Sequence, residues 1–430
     1  MGLPNLPTKL PGRNWLIFWA VTGAFSAAII YDKREKKRAT AKWTRAVAPL
    51  ADETIASPSK LPRKLTIYLE SPPGDGFRAA RDHFVEYAKP VLAASGLDWE
   101  FVQGRQQGDV RAAVAEKIRR VRRKAERPGE DAVRTEEDEL EELRKRMNLP
   151  EYEGIKGDIV IGRHTWKEYV RGLHEGWLGP LDAPAQPEPL SSAAPTTEDA
   201  APKEGAVDGD EAKKDEEEKK KKEEEKKPER PPQPIPHNSP DDYPSAILPA
   251  LVPAEFSPST TIPFPHRIGF THTFVRLGRF LNRRKLADHI GREVAAVCFA
   301  ASRDYNIVTD DDGVRRYEQE LVLKHEESDW PKSVWKPEAP AEDDQASSSS
   351  HKPPKELVWT NPMAVDPRIV ERMRRFQIEP EHEARAAQVV VPEEEIEGWI
   401  KGSLRSLWRW GASSFESKAR GPNVGNVNDE

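Results

Sequence analysis

Eighteen consecutive uncharged residues, Asn14 to Tyr31 (NWLIFWAVTGAFSAAIIY), constrain this chain more than any other feature. As a helix rising about 1.5 Å per residue they span roughly 27 Å, close to the hydrocarbon thickness of a bilayer. Trp15 and Trp19 stand near one end and Tyr31 at the other, where interfacial aromatics belong. A secretory signal peptide has a shorter apolar region and a clean cleavage site. Here a basic, helix-like stretch follows at once, with Lys33, Arg34, Lys36, Lys37, Arg38, Lys42 and Arg45. A soluble core helix is seldom apolar all round. The run reads as a membrane anchor. Pro4, Pro7 and Pro11 exclude a regular amphipathic presequence helix ahead of it. The charge rule alone keeps the richer basic flank on the cytosol-like or matrix side.

The rest of the 430 residues is not one compact core. Of the 39 prolines, 18 fall between Pro180 and Pro265, and charged residues reach 33% against 37% hydrophobic. Residues 182–246 pass from Pro/Ala/Ser-rich sequence into KKDEEEKKKKEEEKKPER and read as a disordered linker with almost nothing to bury. Its lysines are matched by glutamates, so it is a poor anion-binding patch. A net charge of −6 implies no nucleic-acid partner. The single cysteine, Cys298, excludes an intramolecular disulfide and a cysteine zinc cluster.

Between these segments the pattern is α/β. Leu65–Glu70, Leu97–Val102 and Asp158–Gly162 read as strands; Phe77–Ala94, Val110–Ala125 and Thr165–His174 read as helices. Glu126–Glu153 reads as an extended, highly charged helical insertion. Strand–helix alternation calls for a parallel sheet with helices on its faces. Beyond the linker, Thr273–Leu286 reads as a basic amphipathic helix. Val294–Ala301 and Tyr317–His325 read as antiparallel strands flanking the turn Thr309–Gly313, with a helix as the alternative for Val294–Ala301. Asp366–Phe376 is a short basic helix with Pro367 at its start, and Glu393–Trp410 a final helix. The expected organisation is a tail 1–13, a membrane helix 14–31, a basic juxtamembrane segment 32–64 and an α/β domain 65–181. The linker 182–246, an α+β segment 247–336, a second linker 337–355, a helical segment 356–412 and a tail 413–430 follow.

Chemistry-bearing motifs are few. Ser71–Gly76 (SPPGDG) lies between a strand and a helix, where backbone amides can cradle a phosphate, but it matches neither a Walker loop nor GxGxxG. A tight turn is its simpler reading. His266, His272 and His382 show no metal spacing. Trp399, Trp408 and Trp410 among basic residues suit either a membrane surface or a packed helix. No catalytic, cofactor-binding or metal-ligating residue is assigned.

Asp158–Leu173 (DIVIGRHTWKEYVRGL) resembles the signature of diacylglycerol-kinase-like lipid kinases, with Gly162, Thr165, Glu168, Gly172 and Leu173 in register. The acidic position of that signature is Arg163, and its flanking glycines are Ile161 and His164. A guanidinium neither holds a metal nor takes a proton from a lipid hydroxyl. The resemblance therefore implies a kinase-like scaffold without the kinase; a membrane-anchored lipid kinase is the alternative.

LPGRNWLIFW (Leu10–Trp19), YDKREKKRATAKW (Tyr31–Trp43), RKLTIYLESPPGD (Arg63–Asp75), QGDVRAAVAEKIR (Gln107–Arg119), GRHTWKEYVRGLHEGWLGPL (Gly162–Leu181), ESDWPKSVW (Glu327–Trp335) and VDPRIVERMRRF (Val365–Phe376) occur in this order. In these pieces the chain resembles the fungal Tim-fifty-four family, subunits of the mitochondrial inner-membrane carrier translocase. The resemblance implies a single-span inner-membrane protein with its large domain in the intermembrane space, opposite to the charge rule. It implies a non-enzymatic role in inserting multispanning carriers, without cofactors. The implied partners are the channel-forming subunit, the small Tim chaperones and other membrane subunits of the complex.

The linker reading is open to test. Deleting Glu198–Arg230 is expected to leave the melting transition of the full chain within the error of measurement, because solvated chain contributes little burial. Loss of the folded domain on that deletion overturns it.

Overall fold

The computed structural model describes residues 12–53, 61–128, 136–149, 152, 154–184, 233–309, 315–335, 356–396, 402–403 and 406–408. The N-terminal tail, most of the expected linker, the second linker and the C-terminal tail lie outside them.

Helix α1 runs unbroken from Arg13 to Val47. Its apolar half is exposed, Trp15 and Trp19 by about 60% each, and is long and apolar enough to cross a membrane. From Asp32 the same helix enters the protein body. Trp43 and Val47 are buried in the main core, and Trp43 lies where a Cβ on Gly291 would come within 2.4 Å of its ring. Only glycine permits that approach. The basic residues of this half meet acids: Arg34 pairs with Glu393 at 2.7 Å, Arg45 with Glu395 at 2.5 Å, Lys36 with Glu86 and Lys42 with Asp288. Trp43 Nε1 also donates to Asp288 at 2.8 Å.

The body is a six-stranded sheet in the order β2-β1-β3-β4-β8-β5. Strands β1 (Lys64–Glu70), β2 (Asp98–Gly104), β3 (Asp158–Ile161), β4 (Ser259–Ile262) and β8 (Arg374–Phe376) are parallel; β5 (Ser302–Asp304) closes the edge antiparallel to β8. Alternate side chains go to opposite faces. Leu65, Ile67, Leu69, Ile159, Ile161 and Ile262 face one core, shared with α1, α2 (Phe77–His83), α3 (Lys89–Ser95) and α8 (Arg283–Phe299). Tyr68 and Val160 face the other, shared with α4 (Asp109–Glu126) and α6 (Arg163–Leu178). A π turn, Phe84–Ala88, joins α2 to α3 just before Pro90, which cannot donate to the ladder.

Every residue of α6 is buried. Gly172 and Gly176 let it meet α4 closely: a Cβ on either would lie 2.7 Å from Arg111 O or Ile118 Cβ. Buried charges at this contact are matched. Glu175 receives Arg111 and Arg119, the latter at 3.0 Å, and Arg122 donates to the carbonyls of Gly176 and Gly179 at 2.7 and 2.8 Å.

The fold class is as expected, but several elements differ. Val294–Ala301 is not a strand. Its first six residues complete α8, where the apolar run is buried because the helix is wedged between α1 and the sheet, and its alanines favour helix. Tyr317–His325 is also not a strand: β7 (Arg315–Tyr317) ends at once in α9 (Glu318–Leu321), whose Glu318 is held by Arg303 at 2.7 Å and by Asn306 N at 2.8 Å. The hairpin is the shorter pair β6 (Ile307–Thr309) and β7. Thr273–Leu286 breaks into α7 (Thr273–Phe280) and the start of α8. Asp366–Phe376 is helical only over α10 (Pro367–Val370), capped by Asp366 accepting Arg368 N at 2.8 Å; its end is β8. Of the expected helical insertion Glu126–Glu153, the described residues show a helix over α5 (Glu136–Arg146), while α4 stops at Glu126 just before Pro128. Residues 233–246, expected as linker, include a capped 3-10 turn that buries Tyr243. Helices α11 (Pro380–Gln388) and α12 (Glu393–Ile396) pack on α1. Residues 397–401 and 409–410 of the expected final helix, Trp399 and Trp410 among them, lie outside the described residues, and Trp408 is exposed.

Trp43→Ala is expected to lower stability by about 3–5 kcal/mol, the usual cost of deleting a buried large aromatic. Thermal unfolding of the detergent-solubilised chain checks this, and a neutral variant would show that α1 is not part of the core.

Candidate functional site

Chain order along the sheet reverses between β1 and β3: β2 lies on one side of β1, and β3 and β4 on the other. In parallel sheets that switch point opens a crevice beyond the carboxyl ends of the strands, the usual ligand position. Both motifs singled out in the sequence arrive there. Ser71–Gly76 follows β1, and Gly162–Thr165 joins β3 to α6.

The turn at Gly162 is of the kind that presents helix amides to an anion. Gly162 has φ +88°, and a Cβ there would come within 2.7 Å of the His164 ring. The N-terminus of α6 nonetheless faces an anion of the protein itself. Glu326 Oε2 accepts Arg163 N at 3.0 Å and Oε1 accepts Phe264 N at 2.6 Å. The first amide of α6, the helix dipole and the Phe264 amide thus hold the Glu326 carboxyl group. Beside it the Arg163 side chain donates to Glu327 Oε1 at 2.8 Å and to Val322 O at 2.8 Å. Arg163 and Glu326 are each only 2% exposed, so this occupation is internal.

The other half of the crevice is closed too. Gly74, at φ +85°, lies under Pro331, whose Cγ would be 2.9 Å from a Cβ at that position. His164 is buried, with Nε2 3.3 Å from Glu70 O and its ring 5.9 Å from that of Trp359. Burial pushes this imidazole down to about 4, so it is neutral. Lys167 donates to Trp359 O and sits 5.7 Å from the Trp330 ring; burial lowers its pKa to about 8.

Glu168, in register with the kinase-like signature, works as a cap. Its carboxylate accepts Gly108 N at 2.6 Å, Val110 N at 3.1 Å and Arg111 N at 3.2 Å, satisfying the N-terminus of α4 from a neighbouring helix. Glu70, fully buried nearby, is held well above the ordinary carboxylate range by desolvation and then by the Glu168 charge. Desolvation raises the Glu168 carboxyl as well, against the hydrogen bonds that oppose it, so the two adjacent groups do not both ionise.

Among the described residues no group of three or more His, Cys, Asp or Glu is placed to hold a metal. His266 lies 3.1 Å from Asp75, and His382 stacks on Phe299 at 3.9 Å. The sequence motifs thus converge, as their positions suggested, on one crevice. The residues that fill it, Phe264, Glu326, Pro331 and Trp359, were not signalled by any catalytic pattern. Of these only Pro331 falls in a piece singled out in the sequence, ESDWPKSVW (Glu327–Trp335).

Fold and site together define a protein with one candidate membrane helix among the described residues and an α/β body whose switch-point crevice is filled by its own chain. The model of the family "inner membrane protein import complex subunit Tim54" matches residues 1–376, and the chain belongs to that family. It is 53% identical over 429 residues to the mitochondrial import inner membrane translocase subunit tim54 of Neurospora crassa, covering 98% of this chain and 88% of that one. It is 42% identical to the tim54 subunit of Aspergillus oryzae, covering 100% and 99%. With the TIM54 subunit of Saccharomyces cerevisiae identity is 27%, over 89% and 94% of the two chains. The chain is a mitochondrial inner-membrane import complex subunit.

The plug carries a pH signature. Burial raises the Glu326 carboxyl to about 7 against an ordinary 4.5. Between these values the folded state holds a proton that the unfolded state has lost, so this group's contribution to stability falls as pH rises from about 4.5 to about 7. The difference is roughly 3 kcal/mol. Wild type measured against Glu326→Gln should lose relative stability by that order across this window. The difference cancels His83, His164 and His174, which burial holds at about 4 and which act in the opposite sense. A pH-independent difference would place Glu326 in water.

Proposed function

We propose that the protein acts without catalysis, as a membrane-anchored scaffold of the inner-membrane translocase that helps insert multispanning carrier proteins. The observation that carries the non-catalytic reading is the carboxylate of Glu326 at the N-terminus of α6, where a transferred phosphate would need to sit. Phosphoryl transfer depends on positioned phosphates and a carboxylate-held metal. Here the motif's acidic position is Arg163, whose side chain is spent on Glu327 and Val322. The lipid-kinase alternative would require Glu326, Glu327 and Pro331 to leave together.

The body faces the intermembrane space in this reading, where it meets the channel-forming subunit, the small Tim chaperones and other membrane subunits. The basic flank of the span does not oppose this reading, because several of its charges are engaged with Glu86, Asp288, Glu393 and Glu395 of the folded body. Packing is a sufficient reason for those residues, and they need not report which side the flank occupies.

Two measurements test the reading. Protease added to mitoplasts should digest the body and spare it in intact mitochondria; protection in mitoplasts would place it in the matrix. Purified full chain given radiolabelled ATP with mono- and diacylglycerol should show no turnover. Turnover that vanishes in Gly74→Val would overturn the scaffold in favour of an enzyme.

A further inference from the structure

Helix α7 is the one described element of eight residues or more, outside the span, in which a row of aromatic residues faces solvent without a partner. It has no buried residue, and Phe270 just before it and Phe274 within it are 92% and 86% exposed. Phe270, Phe274 and Leu277 are spaced four and three apart and share a face; Arg276 and Arg279 lie on the other side.

The roll of this helix is fixed from the polar side. Arg279 Nη1 lies 2.8 Å from Asp329 Oδ2, and Arg267 Nη1 lies 3.4 Å from its Oδ1; Asp329 is buried. With its arginine side tied to the body, α7 turns its phenylalanines away from the body. Its place along α1 is fixed as well. Only Leu281 and Asn282 separate α7 from α8, whose first amides, Arg283 N and Arg284 N, donate to the Asp32 carboxylate at 3.2 and 3.3 Å. The Arg284 guanidinium lies 5.1 Å from the Tyr31 ring centre. Asp32 is the first charged residue after the apolar span, and Tyr31 is its last. The carboxyl end of α7 therefore sits where α1 leaves the hydrocarbon. At about 1.5 Å per residue the helix reaches only some 12 Å from that point.

We propose that α7 is a second membrane contact: it lies on the bilayer at the exit of α1, with Phe270, Phe274 and Leu277 in the acyl boundary and neighbouring basic side chains at headgroup phosphates. The bilayer is the occupant because it already surrounds α1 immediately beside this face. Phenylalanines on one side with arginine on the other are what an interfacial helix needs. Lys33, Lys37, Arg276 and Lys285 around the exit favour anionic lipid. The contact would hold the body at a set height and tilt against the membrane, whichever side it faces. Neither the fold family nor the plugged crevice requires it.

The test uses the full chain in vesicles. A polarity-sensitive fluorophore is attached at Phe274→Cys, and in a second protein at Ala125→Cys on α4, the opposite face of the sheet from α1; Cys298 is buried and stays in place. The vesicles are phosphatidylcholine with or without phosphatidylglycerol, and carry a lipid quencher near the glycerol end of the acyl chain. The Phe274 site should shift to the blue and be quenched several-fold more than the Ala125 site, more strongly with phosphatidylglycerol. Equal, water-like emission at both sites overturns the proposal. So does shielding at Phe274 that occurs in mitochondria but not in vesicles, which would give this face to a protein. Quenching that ignores phosphatidylglycerol overturns the assignment to anionic headgroups.

Discussion

One helix answers to two solvents, and the rest of the molecule is arranged around that. The first half of α1 is apolar on every side, as hydrocarbon demands, and the second is amphipathic with Trp43 and Val47 in the core. The change falls at Asp32. A charge so near the membrane boundary is costly unless satisfied, and it is satisfied by the first two amides of α8. The same contact makes α8 the strut between the anchor and the sheet. Gly291 then admits the Trp43 ring, so anchor and body share one core instead of being joined by a tether.

That rigidity gives the closed crevice its meaning. A doubly wound sheet must leave an opening where strand order reverses, and the backbone there, with Gly162 in a conformation few other residues adopt, exposes amides to it. Those donors cannot be left unpaired in a buried position. An enzyme leaves them for its substrate. Here Glu326 accepts the amides of Arg163 and Phe264, and Glu327 accepts the Arg163 guanidinium. The fold keeps the shape of a ligand site while using its binding energy for cohesion between α6 and the segment 318–335.

The parallel core was legible because its signals are local. Leu65–Glu70 and Asp158–Gly162 are short apolar runs, and the helices after them have a clear 3.6 period. The errors cluster where tertiary contacts decide. The run from Val294 is apolar all round because α8 is covered by α1 on one side and the sheet on the other, and such a run reads equally well as a buried strand. Strand β4 is Ser-Thr-Thr-Ile between two prolines, with no period to detect, yet it sits at the centre of the sheet. Its buried threonines are tolerated because partners exist, Thr260 donating to Glu293 at 3.2 Å. At the site, Gly162, Arg163 and Glu168 were visible as a motif, but the partners of Arg163, Glu326 and Glu327, lie about 160 residues away and belong to no catalytic pattern.

Glu168 and Glu326 close the structure by the same means at two places. Both carboxylates terminate helices from outside, α4 and α6, and both are buried. Glu168 accepts three amides, from Gly108, Val110 and Arg111. Glu326 accepts two, from Arg163 and Phe264. Desolvation raises both carboxyls. The first closure holds α4 on α6, and the second holds α6 and the chain after β4 to the segment 318–335, so the crevice is shut by contacts separate from those of the helix pair beneath it.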